Sequence, residues 1–181
     1  MAHARTIPRF SGQYHTHVRA PAAEKDIDWG AAGWAGLVAG LVFILLDSAL
    51  ITMFSGGPNT DAIRQIAAIA LGQTTLPQSS SFTALVFMTA MAVHLPLSLL
   101  YARILAVLVR GDTALRAAAV GAVFGAFLYA VNYYAFTRIF PWFAAGRNWM
   151  TLSAHVVFGI IAAALYVLLT ERKARRSAHE S

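Results

Sequence analysis

Four long apolar stretches separated by short polar segments make up most of the chain. Each is as long as the roughly 20 apolar residues that an α-helix needs to cross the hydrocarbon core of a bilayer. The pattern predicts an all-α protein, a four-transmembrane-helix bundle with spans near residues 33–54, 82–108, 117–136 and 149–170. The domain boundaries that follow are a cytoplasmic polar tail over 1–28, a transmembrane domain over 29–170 and a cytoplasmic basic tail over 171–181.

The first loop between spans predicts an additional short element. Gly and Pro at 56–58 end the first span, and a helix should start near Asp61. Its apolar side chains share one face and its polar side chains the opposite face, which is typical of an amphipathic helix lying on the outer membrane surface; a lid or a docking face is the alternative. The apolar face holds Ile63, Ile66, Ala67, Ala70 and Leu71, and the polar face holds Asp61, Arg64 and Gln65.

Composition and charge support a membrane location. Charged residues make up 12% of the 181 residues, against about 25% in soluble domains. Eleven of the 14 Lys and Arg residues fall on the side of the two termini, so the positive-inside rule predicts that both termini are cytoplasmic. We read the net charge of +6 as a record of membrane topology, and we expect no nucleic-acid partner.

Absent residue types exclude several kinds of site. The chain has no cysteine, which excludes disulfides and thiolate metal sites. In the N-terminal tail, His15 and His17 form an H-x-H pair without a clear third ligand, so we interpret this segment as solvated and expect no metal there. Phosphate-binding, dinucleotide-binding, zinc-protease and nucleophile-elbow motifs are also absent, and we expect that the protein is not an enzyme.

The first and third spans share a glycine pattern that suggests an internal duplication. Gly36 and Gly40, like Gly121 and Gly125, form G-x-x-x-G, a spacing that lets helix backbones approach closely. Asp47 and Asn132 each follow the first glycine of their pair by eleven positions. The second and fourth spans each carry a His followed four residues later by a small residue. Two tandem helical hairpins explain this pattern, and coincidence among apolar helices is the alternative.

Four polar side chains within the spans mark the candidate site: Asp47, His94, Asn132 and His155. A polar group in hydrocarbon should face the bundle interior. At about 1.5 Å of rise per residue, all four fall in or near the outer half of the bilayer. Ser98 and Tyr101 extend the face of His94, because they follow it by four and seven residues. We therefore expect one polar cluster inside the bundle.

Several interpretations of this polar cluster remain open. Its members can bond helices to one another in a purely structural role. His94 and His155 can instead be axial ligands of a haem b, since imidazole is a common haem ligand. Asp47 with a His can exchange protons in a small proton-coupled or metal transporter. A metal site made of His94, His155 and Asp47 is the remaining alternative.

The chain also resembles small four-helix bacterial inner-membrane proteins of unknown function, the YagU-like type. The matching residues are Gly36, Gly40, His94, Gly121, Pro141-Trp142 and His155. The resemblance implies a bacterial inner membrane and no assigned reaction. Together with the small size and the glycine-rich helix faces, it leads us to expect a non-catalytic accessory or assembly subunit of a larger membrane complex, most plausibly a respiratory one. The expected partners are the lipid bilayer and other membrane-protein subunits.

Overall fold

The computed structural model describes residues 26–56, 60–77 and 81–180, and these residues form helices and turns without strands. Within these residues, five α-helices follow one another: α1 Trp29–Ser55, α2 Asp61–Leu71, α3 Ala84–Leu108, α4 Ala114–Ala130 and α5 Trp149–Glu180. Short 3-10 turns lie at Gln73–Thr75, Phe136–Arg138 and Pro141–Gly146, and a π-helical turn at Val131–Ala135 extends α4. The N-terminal tail with His15 and His17 lies outside the described residues.

Four of these helical segments are long and apolar enough to cross a membrane. They are α1, α3, α5 and the continuous segment Ala114–Arg138, which contains α4 and the turns after it. The prediction of an all-helical, four-span membrane protein is therefore confirmed. Helix α5 continues to Glu180, so residues 171–180 of the predicted basic tail are helical.

Side-chain caps explain where the spanning helices begin. Asp28 accepts a hydrogen bond from the backbone N–H of Ala31 at the start of α1. Thr83 and Thr113 do the same for α3 and α4, and Asn148 accepts from the backbone N–H of Thr151 in the first turn of α5. Such oxygens satisfy N–H groups that have no partner within the helix. At the other end of α1, Gly56 adopts a φ of +63°, a left-handed conformation that suits glycine.

Small residues bring the helices together in two pairs with the same register. Gly36 of α1 faces the carbonyl of Ser98 and the methyl group of Ala102 in α3. Gly121 of α4 faces the carbonyl of Gly159 and the methyl group of Ala163 in α5. Ser98 and Ala102 follow His94 by four and eight residues. Gly159 and Ala163 follow His155 by the same intervals. The shared register is what a duplicated hairpin would produce; the duplication itself stays a prediction.

The remaining contacts do not follow this symmetry. Helix α1 packs extensively on α5, whereas α3 and α4, which a two-fold axis would pair in the same way, barely touch. The bundle is therefore closed on the α1–α5 side and parted between α3 and α4.

Helix α2 packs against α3 with Ala67 buried beside Val86 and Ala90. Part of its predicted apolar face is used there, although Ala70 is exposed. The predicted outward position of Arg64 is wrong, because its side chain is only 5% exposed. Its guanidinium donates to the carbonyl of Thr75 at 3.2 Å and lies over the ring of Phe82, so this cation folds back onto its own loop.

Candidate functional site

His94 in α3 is held against α1 by the absence of a side chain on Gly40. Its Nε2 lies 2.9 Å from the carbonyl oxygen of Gly40. A Cβ on Gly40 would lie 2.7 Å from Cβ of Ser98 and 3.4 Å from that same Nε2. Ser98 donates its hydroxyl to the carbonyl of His94 at 2.9 Å, one turn earlier in the helix. The second G-x-x-x-G glycine thus provides both the space and the acceptor for the imidazole.

His155 in α5 is bound at both ring nitrogens. Its Nδ1 lies 2.8 Å from the carbonyl oxygen of Thr151, and its Nε2 lies 3.2 Å from Nδ2 of Asn132. A carbonyl oxygen only accepts, so in the neutral ring Nδ1 donates to Thr151 and Nε2 accepts from the amide of Asn132. The bond between Asn132 and His155 joins the two helices of the second hairpin.

The π-helical turn Val131–Ala135 determines how Asn132 is presented. One extra residue in this turn changes the angular spacing of the side chains, and the consecutive residues Asn132 and Tyr133 both line the same cavity. Arg147 supports this turn by donating from Nε to the carbonyl of Tyr133 at 2.7 Å. Its guanidinium also donates to the hydroxyl of Thr137 at 3.0 Å and lies over the ring of Tyr134. The hydrophobic pattern of the sequence carries no signal for this π turn.

A cavity of about 490 Å³ lies where α3 and α4 part. His94, Ser98, Tyr101, Asn132 and His155 all line it, so the structure brings five of the six predicted polar residues to one place. Its other walls are aliphatic and aromatic. These apolar lining residues are Phe43, Ile66, Ile69, Val93, Pro96, Leu97, Leu128, Tyr133, Phe136, Phe140, Phe143 and Phe158.

Exposed lining residues show where the cavity opens. Pro96 and Leu97 in α3 and Phe136 after α4 are all exposed on the outside of the bundle. Ile66 and Ile69 of α2 cover one end, together with the turn Pro141–Gly146. Trp142 in that turn donates its indole N–H to the carbonyl of Gln65 at 3.0 Å, which holds the turn to α2. The opening therefore faces sideways, between two membrane-spanning helices.

Asp47 does not line the cavity. It is 1% exposed, and one carboxyl oxygen, Oδ1, has no hydrogen-bond partner among the residues the structure describes. The side chain of Thr151 interacts with the Asp47 carboxyl group. The backbone carbonyl of the same Thr151 accepts a hydrogen bond from His155. Asp47 is therefore connected to the polar residues of the cavity through Thr151 and is not itself one of the lining residues.

The existing contacts of His94 and His155 bear on the haem arrangement expected for these two residues. Both Nε2 atoms already bind atoms of the bundle. The ring of Phe43 contacts both imidazoles, with centroid distances of 5.3 Å to His94 and 4.7 Å to His155. Axial ligation through Nε2 would break both hydrogen bonds, so the two imidazoles as placed here do not fit a bis-histidine haem bound through Nε2.

The described residues contain no group of three or more His, Cys, Asp or Glu side chains that could hold a metal ion. His94, His155 and Asp47 accordingly do not form the metal site that was one alternative for the cluster. The residues that sequence reasoning missed are the aromatic ones, above all Phe43 and Phe143, which resemble every other apolar residue of their segments.

The fold and site together define a multi-pass, four-helix membrane protein with a laterally open, mainly apolar cavity. The chain belongs to DUF6789, a family of unknown function whose model matches residues 28–177. The match covers all four spans, and the resemblance to YagU-like proteins stays a prediction beside it. Neither the curated proteins nor the solved structures contain a match to this chain.

Proposed function

We propose that this protein binds a lipid-soluble molecule inside the membrane, in the cavity between α3 and α4, without catalysing a reaction on it. The proposal rests on one observation: α3 and α4 are separated, and the cavity at their separation is lined by a polar wall of His94, Asn132 and His155. Elsewhere in the bundle, helices of this length pack closely through small residues.

The size and lining of the cavity support a ligand of moderate size. Small-molecule sites usually measure about 300–1,000 Å³ and combine apolar walls with a few polar groups that orient the ligand. This cavity, at about 490 Å³, has that composition. Its opening lies among residues of the membrane-spanning segments, so a ligand dissolved in the bilayer reaches it without crossing water.

The polar wall supports binding over a purely structural role. Polar side chains within spans are costly in hydrocarbon and normally face partners. His155 has partners on both nitrogens, but His94 and Asn132 use only part of their hydrogen-bonding capacity within the described chain. Both residues line the cavity, so a ligand bound there can use this capacity.

A matched pair of substitutions tests the proposal. Leu128→Trp enlarges a buried side chain that lines the cavity, whereas Leu115→Trp makes the same change on the same helix at a position 83% exposed. Both variants and the wild type are extracted into polymer nanodiscs, and the small molecules they carry are compared by mass spectrometry. We expect one species enriched with the wild type and Leu115→Trp and depleted with Leu128→Trp. No enriched species, or equal enrichment in all three, would overturn the proposal.

An accessory or assembly role in a larger respiratory complex stays a prediction, because no contact within this chain identifies a partner. Purification from native membranes tests it, and migration as a lone 19.5 kDa species would contradict it. The prediction of cytoplasmic termini rests on the distribution of Lys and Arg, and that of a bacterial inner membrane rests on the resemblance to YagU-like proteins. Transport centred on Asp47 likewise stays a prediction, and Asp47→Asn should abolish flux in liposomes if it is right.

A further inference from the structure

The polar groups of the cavity specify the hydrogen-bonding character of its ligand. His94 presents Nε2 to the carbonyl oxygen of Gly40, which can only accept. In the neutral imidazole, a proton on Nε2 leaves Nδ1 as an acceptor. Within the described ranges Nδ1 of His94 has no hydrogen-bond partner, and it is not among the atoms enclosed by protein. Because His94 lines the cavity, this acceptor is available to the donor group of a ligand bound there.

Asn132, in the π-helical turn after α4, adds a second acceptor. Because Nε2 of His155 accepts, the nitrogen of the Asn132 amide must point toward it, which fixes the orientation of this side chain. The carbonyl oxygen Oδ1 of Asn132 has no partner in the part of the chain that is described and is not enclosed by protein. Two acceptors from different helices thus border one cavity.

No Lys, Arg, Asp or Glu occurs among the described residues that line the cavity. An anionic head group such as a phosphate would find no cation there, and burying it would carry a large desolvation penalty. The hydroxyl groups of Tyr101 and Tyr133 are neutral and can donate or accept. The lining therefore suits an uncharged polar group.

We infer that the ligand is a neutral, lipid-soluble molecule whose hydroxyl group donates a hydrogen bond to Nδ1 of His94. This inference rests on the proposed function and narrows its ligand class. Ketones, esters and ethers carry acceptors alone and leave Nδ1 unsatisfied. Two kinds of membrane molecule share the required chemistry: phenolic rings of the hydroquinone type and aliphatic alcohols of the diacylglycerol type.

The test varies the ligand and leaves the protein unchanged. Binding to wild-type protein in nanodiscs is measured for decyl-hydroquinone and its dimethyl ether, and for dioctanoylglycerol and its methyl ether. One hydrogen bond to a group otherwise unpaired in a low-dielectric site should make at least one hydroxyl compound bind about tenfold tighter than its ether. Preference in the first pair identifies a phenolic ligand, and preference in the second pair an aliphatic alcohol.

A variant locates the effect at His94. His94→Phe should bind the preferred hydroxyl compound and its ether equally, whereas His179→Phe, the same change at an exposed position near the end of α5, should retain the tenfold preference. The inference is overturned if both ethers bind wild-type protein as tightly as their alcohols; the proposed function then still stands if Leu128→Trp weakens the binding of alcohols and ethers alike. If none of the four probes binds, the inference and the proposed function are both overturned.

Discussion

The contact between α4 and α5 depends on facing glycines, and the substitution Gly121→Ala measures how strongly. A Cβ at Gly121 would lie 2.6 Å from the carbonyl carbon of Gly159 and 2.9 Å from the methyl carbon of Ala163. Non-bonded carbon atoms pack best at about 3.5–4.0 Å, so the two helices must separate locally by about 1 Å. Both helices contribute to the cavity wall, and their separation would also stretch the hydrogen bond between Asn132 and His155.

The expected loss follows from what the new methyl group meets. Forcing extra atoms into a well-packed contact costs about 1–3 kcal/mol. We expect the upper part of this range for Gly121→Ala, because the nearest atoms belong to the backbone of Gly159 and cannot rotate away. A loss of about 2–3 kcal/mol lowers the folding equilibrium constant by roughly 30- to 150-fold.

Reversible unfolding in mixed micelles, followed by far-ultraviolet circular dichroism, measures this loss. Gly33→Ala is the matched control, since a Cβ at Gly33 meets nothing within 4 Å. Both variants exchange glycine for alanine within a spanning helix, so their shared effect on helix propensity cancels in the comparison. If the two variants unfold with the same free energy, the close packing of α4 on α5 does not contribute to stability and the reasoning is refuted.

Two further predictions concern the ends of the bundle. The pKa of Asp28 lies below its usual value of 3.8 because Lys173 and the N–H of Ala31 bind the carboxylate. The ion pair of Asp28 with Lys173 is exposed, so it contributes at most about 1 kcal/mol to stability. This contribution is complete above pH 3.8 and is lost as the pH falls through the lowered pKa of Asp28. The free energy of unfolding measured across this pH range should lose its acid dependence in Asp28→Asn, and an unchanged dependence would contradict the assignment. Arg147→Lys should lower the free energy of unfolding by about 1–3 kcal/mol, because Lys cannot keep the hydrogen bonds that support the π turn. The control is Arg138→Lys, the same change at an exposed position. A loss no larger than that of the control would contradict the role of Arg147 in supporting the turn.

Local patterns determined the elements of this fold. A span is recognisable because about 20 apolar residues in a row have no other stable location, whatever surrounds them. The caps at Asp28, Thr83 and Thr113 likewise act on their own helices. The polar residues of the spans could be named as site candidates for the same reason, since hydrocarbon penalises each of them wherever its neighbours lie.

Only the tertiary structure decided which helices touch and which part. The glycine pairs predict close approach but no partner, and the gap between α3 and α4 results from the packing of all four spans together. The burial of Arg64 depends on a loop that folds back over it. The position of Asn132 depends on a π turn held by Arg147, a residue 15 positions further along the chain. Asp47 has a predicted depth similar to that of the cavity residues but does not line the cavity, because the direction in which a side chain points depends on how its helix is rotated against its neighbours.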